Sequence, residues 1–276
     1  MANAFSIGIT ELRVSDLPHA TSFYKVLIGL EEVASLPKVL VLGWKGVPIL
    51  RLIEDAAALP ELPGSAGLYH IALLFSEPAH LSLVLDRILR QAPQFFKGSS
   101  DHLVSEAFYF EDPDGNGVEL YVDRPRSGWP MQDGKLLMGS EWLDPEAFMR
   151  RHFNPELTGN VSMGHLHLRV GDVSEAVTFY RDLLGFDVVV DMPRAVFLSK
   201  GGYHHHIGAN AWESSGAGKR RSGSLGLVSI TLIFPPEDVT AIQARLRKAG
   251  VALEKVSEKH YKVEDSWGIQ LNIATL

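Results

Sequence analysis

The sequence predicts an α+β protein assembled from four copies of one small module, each a strand, a helix and further strands. Three observations lead there. Residues 8–30 (GITELRVSDLPHATSFYKVLIGL) and 164–186 (GHLHLRVGDVSEAVTFYRDLLGF) superimpose with Leu12/Leu168, Arg13/Arg169, Val14/Val170, Asp16/Asp172, Ala20/Ala176, Phe23/Phe179, Tyr24/Tyr180 and Gly29/Gly185 in common. A weaker echo pairs GLYHIALLF (67–75) with GLVSITLIF (226–234). The 276 residues then divide into four units of about 55 residues, a length typical of repeated supersecondary modules.

The elements follow in chain order. In the first module an alternating strand over 8–14 leads to Asp16 at an N-cap position, Phe23 and Tyr24 on an apolar helical face, and Gly29 as the stop. The second opens on the wholly apolar strand GLYHIALLF. From Arg124 to Ser162 the pattern lapses into RPRSGWPMQDGK and a short helix around Pro145–His152, which predicts a linker over 124–162 between halves at 6–123 and 163–276. The third module repeats the first, with Asp172 as cap, Phe179 and Tyr180 on the buried face and Gly185 as stop. The fourth opens on GLVSITLIF.

Composition narrows the function classes. With 46% hydrophobic residues the chain can bury a sizeable core. Its net charge of −7, from 26 basic and 33 acidic residues without a block of one sign, offers no footprint for nucleic acid. The start, MANAFSIGITELRV, is no basic-then-apolar leader, and no stretch approaches the roughly 20 apolar residues of a membrane span. The absence of cysteine excludes disulfides, thiolate metal sites and thiol nucleophiles, so any metal rests on His, Asp and Glu. A cytoplasmic, soluble protein is expected, with homo-oligomers left open.

The opening GHLHLRVGDVSEAVTFYRDLLGF and the ending YFEDPDGNGVELYVDRP resemble the vicinal oxygen chelate superfamily, and within it the type I extradiol dioxygenases, over nearly the whole chain. The resemblance implies βαβββ modules that pair into curved mixed sheets around a metal. It also implies ligands on the first and last strands of the modules. Oxygen-activating non-haem iron takes two imidazoles and one carboxylate, leaving positions for a bidentate substrate and O2. The first-strand positions here are Ile9, His70, His165 and Ser229, and the last-strand positions are Glu119 in module two and Gln270 in module four. Only His70, Glu119 and His165 make a complete set, which implies that modules two and three pair around the metal, Fe(II) or Mn(II), rather than two modules of the C-terminal half.

Three further residues carry the dioxygenase resemblance. Tyr109 stands ten residues before Glu119 in YFEDPDGNGVE, as in the family. His102 lies upstream of it, spaced more tightly than the family pattern. His204 follows the glycine pair in GGYHHHIGAN. The resemblance implies that Tyr109 and His102 hydrogen-bond the diol oxygens of a small aromatic substrate, and that His204 serves as acid or base on the O2 side. His206 is expected to share the strand face of His204, with His205 on the opposite face. His167 shares the face of His165.

Each reading has a blander rival. A His within YHIALLF is commonly a satisfied core residue, DPDGNG is by itself an ordinary turn, and three consecutive His can form an adventitious surface metal site. Glu106, Glu111 and Asp114 read as solvated turn or edge groups, GKRRSGS (218–224) as an exposed loop or a lid, and Trp212 as core or pocket entrance. Glyoxalase-like isomerases or lyases and non-catalytic resistance proteins share the fold. The former usually surround their metal with four protein ligands, and the latter need no complete triad.

Overall fold

The computed structural model describes residues 5–275, and the βαβββ order recurs in all four modules. Module one runs β1 (Ser6–Val14), α1 (Leu17–Thr21) continued by a π-helical stretch (Ser22–Ile28), β2 (Glu31–Leu36), β3 (Val39–Trp44) and β4 (Val47–Glu54). Module two runs β5 (Gly67–Phe75), α2 (Pro78–Gln91), β6 (Phe96–Asp101), β7 (Ser105–Glu111) and β8 (Gly117–Asp123). The connection holds the short strands β9 (Met131–Gln132), β10 (Lys135–Leu136) and β11 (Glu141–Trp142), then α3 (Pro145–His152). Module three runs β12 (Val161–Arg169), α4 (Val173–Val177) with a π-helical continuation (Thr178–Leu183), β13 (Asp187–Met192), β14 (Ala195–Ser199) and β15 (Ile207–Asn210). Module four runs β16 (Gly226–Phe234), α5 (Pro236–Lys248), β17 (Leu253–Ser257), β18 (His260–Glu264) and β19 (Gln270–Thr275).

Two large mixed sheets result. The eight-stranded sheet, in the order β17-β18-β19-β16-β1-β4-β3-β2, uses strands of modules one and four. The nine-stranded sheet, β11-β6-β7-β8-β5-β12-β15-β14-β13, uses modules two and three and the connection. Within modules two, three and four the first strand pairs with the last in parallel (β5/β8, β12/β15, β16/β19), while the hairpins between are antiparallel. A first strand with partners on both edges and side chains packed on both faces favours apolar residues on both faces, which accounts for most of GLYHIALLF and GLVSITLIF, with His70 and Ser229 the buried polar exceptions. No helix of the described residues is long and apolar enough to cross a membrane.

By internal packing the chain forms two units, each discontinuous in sequence. One comprises residues 14–57 and 70–164. In it Asp16 caps α1 by accepting from the His19 N–H, and Gly29 ends the helix at φ 95°. The Thr21 hydroxyl returns to the Leu17 carbonyl at 2.7 Å where the helix widens. Phe23 and Tyr24 are buried, each contributing on the order of 2 kcal/mol through burial. Arg87 of α2 donates to the Leu27 and Ile28 carbonyls, satisfying the end of the widened helix.

The other unit comprises residues 5–13, 58–69 and 165–275 and repeats these devices. Asp172 caps α4 through the Glu175 N–H, Thr178 returns to the Ser174 carbonyl, and Arg245 of α5 donates to the Leu183 carbonyl. The stretch read as an exposed loop or lid is anchored here. The Arg220 side chain, 8% exposed, pairs with Glu61 at 2.5 Å and donates to the Leu227 carbonyl, while Arg169 holds the other oxygen of Glu61. A buried carboxylate needs these partners, and the sequence alone did not reveal that Arg220 had one.

Glu106 likewise departs from its expected solvated place. It is buried in β7 between Arg124 and Arg151, each at 3.3 Å, and ties α3 to the sheet. Asp114 accepts from Ser15 through both its N–H and its hydroxyl, whereas Glu111 pairs with Lys97 at the surface.

Candidate metal centre

The last two strands of module two are joined by the turn in YFEDPDGNGVE, and the buried Asp112 organises it. Its carboxylate accepts from the Asp114 and Asn116 N–H groups, from the Asn116 side chain and from the Tyr24 phenol at 2.8 Å. Gly115 adopts φ 82°, open to glycine at little cost. This turn sets the register in which Tyr109 of β7 lies directly across from Glu119 of β8, while Glu119 also neighbours Ala72 of β5.

His70, Glu119 and His165 are buried, with 6%, 2% and 1% of their surface exposed. His70 Nε2 lies 3.0 Å from Glu119 Oε2. One donor atom from each of the three lies within 4.8 Å of the others, and among the described residues no other set of three or more His, Asp or Glu side chains comes so close. Enclosing a carboxylate beside two imidazoles is costly unless a cation or protons are shared among them. The donor types, two imidazole nitrogens and one carboxylate oxygen, suit a divalent iron or manganese ion, and the residues therefore fit such a metal.

Tyr109 and His102 stand next to this set. The Tyr109 ring is 5.7 Å from that of His70, and its hydroxyl lies 2.5 Å from His102 Nε2. The other His102 nitrogen, Nδ1, is 2.7 Å from the Gly139 carbonyl. Both nitrogens are thus engaged, and His102 reaches outward only through Tyr109.

Residues 201–206 lie before β15 and are not extended strand, so the expected alternation of faces fails there. His204 and His205 are neighbours, with Nδ1 atoms 2.8 Å apart, and their rings lie 6.0 Å and 4.0 Å from that of His165. His206 turns to Ser199 and Lys200 instead. On β12, His167 is buried and its Nε2 lies 3.0 Å from the Asn210 amide nitrogen. Its ring contacts those of Tyr69, Phe197 and the 40%-exposed Trp212 at 5.0–5.5 Å.

The model of the Glyoxalase/Bleomycin resistance protein/Dioxygenase superfamily matches residues 6–120 and 162–269. The chain belongs to this superfamily. Catechol-2,3-dioxygenase of Bacillus subtilis (strain 168) is 35% identical over 269 residues, 94% of this chain and 93% of its own. Biphenyl-2,3-diol 1,2-dioxygenase 2 of Rhodococcus globerulus is 36% identical over 77 residues, 27% of this chain and 39% of its own. Two solved structures of the same fold are one from B. subtilis subsp. subtilis str. 168 (TM-score 0.68, 16% identity, 98% of this chain and 84% of that one) and glyoxalase I from Zea mays (TM-score 0.59, 14%, 99% and 93%). The chain is a dioxygenase-like member of the superfamily.

Two contributors to the site were not legible in the superfamily motifs. Tyr121, two residues after Glu119, is buried and packs with Ala72, Ala107, Leu74 and Tyr109, and a Cβ on Gly164 would collide with its phenol oxygen. The signal was present, since VELYV places Glu119 and Tyr121 on one face. The second is Gly139 in the connecting segment, which nothing in its sequence marks.

Proposed function

We propose that the chain is an Fe(II)-dependent extradiol dioxygenase that opens the ring of a catechol-type substrate with O2, breaking the bond next to the diol. The observation that carries this is the buried His70–Glu119–His165 set. Its identity to catechol-2,3-dioxygenase over nearly the whole chain supports the reaction class. The set holds three donors where glyoxalase-like enzymes usually use four, which leaves ligand positions for two diol oxygens and O2.

His70, Glu119 and His165 would hold the metal, Fe(II) or Mn(II). When bound, iron supplies Lewis acidity toward the diol and the electrons that O2 chemistry requires. The residues around it do the positioning and the proton work. Tyr109, whose ring neighbours that of His70, relays the proton that the diol releases: its phenol oxygen accepts that proton as its own hydrogen passes to His102 Nε2. The His204 imidazole, stacked on Tyr203 at 4.0 Å and fixed by His205, acts as acid or base on the other side.

Purified anaerobically and loaded with Fe(II), the protein should consume O2 when given catechol and form a yellow ring-opened product. Stoichiometric iron without turnover across a panel of substituted catechols would refute the reading.

A further inference from the structure

We infer that the connecting segment around Gly139 is a positioning device for the Tyr109–His102 pair, holding His102 as the tautomer with its proton on Nδ1 and so directing the Tyr109 hydroxyl hydrogen toward Nε2. This rests on the proposed role of Tyr109 at the diol.

The direction of both hydrogen bonds follows from what each atom can do. A backbone carbonyl only accepts, so the 2.7 Å contact between Gly139 O and His102 Nδ1 requires Nδ1 to donate. In the neutral imidazole Nε2 is then an acceptor, and the Tyr109 hydroxyl at 2.5 Å must donate to it. With its hydrogen committed to His102, the phenol meets a diol through its oxygen lone pairs, so that a proton taken from the diol is matched by passage of the phenol's own hydrogen to His102 Nε2, leaving an imidazolium that donates from both nitrogens. The opposite tautomer would have Nε2 donate to the phenol, leaving the phenol hydrogen to point at the diol and stabilise its neutral form.

The segment is built to hold that carbonyl in place. The Gly139 N–H donates back to the His102 carbonyl at 3.3 Å, closing a reciprocal clamp. Two serines of β6 fasten the strand beyond it. Ser99 donates to the Leu143 carbonyl at 2.6 Å, and Ser100 Oγ lies 2.8 Å from Ser140 Oγ and donates to the Glu141 carbonyl at 3.3 Å. β11 then pairs with β6 through Glu141/Asp101 and Trp142/Ser100. Next to His102, Leu103 is held at φ 69°, with its N–H on Asp101 Oδ1 at 2.9 Å, and a Cβ on Gly139 would press the Leu103 side chain at 3.1 Å. A bulky residue kept in the left-handed region marks a turn whose shape is over-determined by its surroundings. Ser99, Ser100 and Gly139 are thus positioning residues that act through His102.

The test uses the full chain, metal-free and labelled with 15N-histidine, at mildly alkaline pH where imidazoles are neutral. The His102 signals are identified by their loss in His102→Gln. Long-range proton–nitrogen spectra should show His102 protonated at Nδ1. In the Ser99→Ala/Ser100→Ala variant, or in Ser100→Ala alone should the double variant fail to fold, this signature should give way to a mixture of tautomers. In the Fe(II)-loaded variant kcat on catechol should fall roughly five- to tenfold while KM stays nearly constant, because proton handling and not binding is disturbed. A wild-type His102 protonated at Nε2, or an unchanged tautomer signature in the folded serine variants, overturns the inference. The spectra are read without turnover, so failure of the dioxygenase reading would leave this result separately measurable.

Discussion

Asp112 and Asp265 occupy matching places in modules two and four. Asp265 accepts from the Trp267 and Ile269 N–H groups as Asp112 does from Asp114 and Asn116, and the Tyr180 phenol donates to it at 3.1 Å as Tyr24 does to Asp112. Burial raises both carboxyls, Asp265 from 3.8 to about 6, against the lowering effect of these hydrogen bonds. The folded state therefore keeps a proton on Asp265 that the unfolded chain has released, so this residue's contribution is present below its unfolded value and is lost as pH rises toward 6. In Asp265→Asn that loss is absent. Urea unfolding from about pH 4 to about pH 7 should show wild type losing ground to the variant by on the order of 3 kcal/mol. A wild-type-to-variant difference that stays constant with pH would contradict the raised value.

At the scale of the element, the helix of each half begins under an Asp cap, widens into π geometry and stops at a glycine that the sequence repeat already marked. The structure adds why the stop must be glycine. Gly29 and Gly185 sit at φ 95° and 81°, and an added Cβ would lie 2.9 Å from Nη2 of Arg87 and of Arg245, the two arginines that donate to the helix-end carbonyls. Gly185→Ala should lower stability by about 1–2 kcal/mol, from left-handed strain together with a displaced guanidinium. Thermal denaturation measures it, and an unchanged midpoint would mean that Arg245 moves aside freely. Elements were legible where periodicity is strong, as in the nine-residue strands β5 and β16, whose bounds match the echo between them. They were not legible in GGYHHH, where three identical polar residues carry no periodicity and the chain turns instead of extending.

For the molecule as a whole, metal binding at the buried donor set would be coupled to folding. Any ion that binds the folded chain alone stabilises it by mass action, about 2.7 kcal/mol at a hundredfold excess over Kd. In a chain of this size that amounts to a rise in Tm of roughly 5–10 °C. Anaerobic thermal scans should show this rise with Fe(II) for wild type and for Gln270→Ala, whose parent side chain bonds Glu264 at 2.7 Å away from the triad. Glu119→Ala and His165→Ala should show none, with iron analysis in parallel. Equal loss in Gln270→Ala would show that the metal depends on module four.

The sequence by itself determined the repeat and its strand and helix openings, because periodicity and caps are local properties written every few residues, and its resemblance to the superfamily supplied the βαβββ modules and the shortlist of His70, Glu119 and His165. Only the tertiary structure decided which side chains meet. It drew the three donors together and buried the Glu106 and Arg220 side chains among partners distant in sequence. It brought Gly139 from the connecting segment to His102. The reason is physical: the direction of a hydrogen bond and the burial of a charge depend on strand order and register between elements, and a glycine's own sequence says nothing about which imidazole its carbonyl will receive.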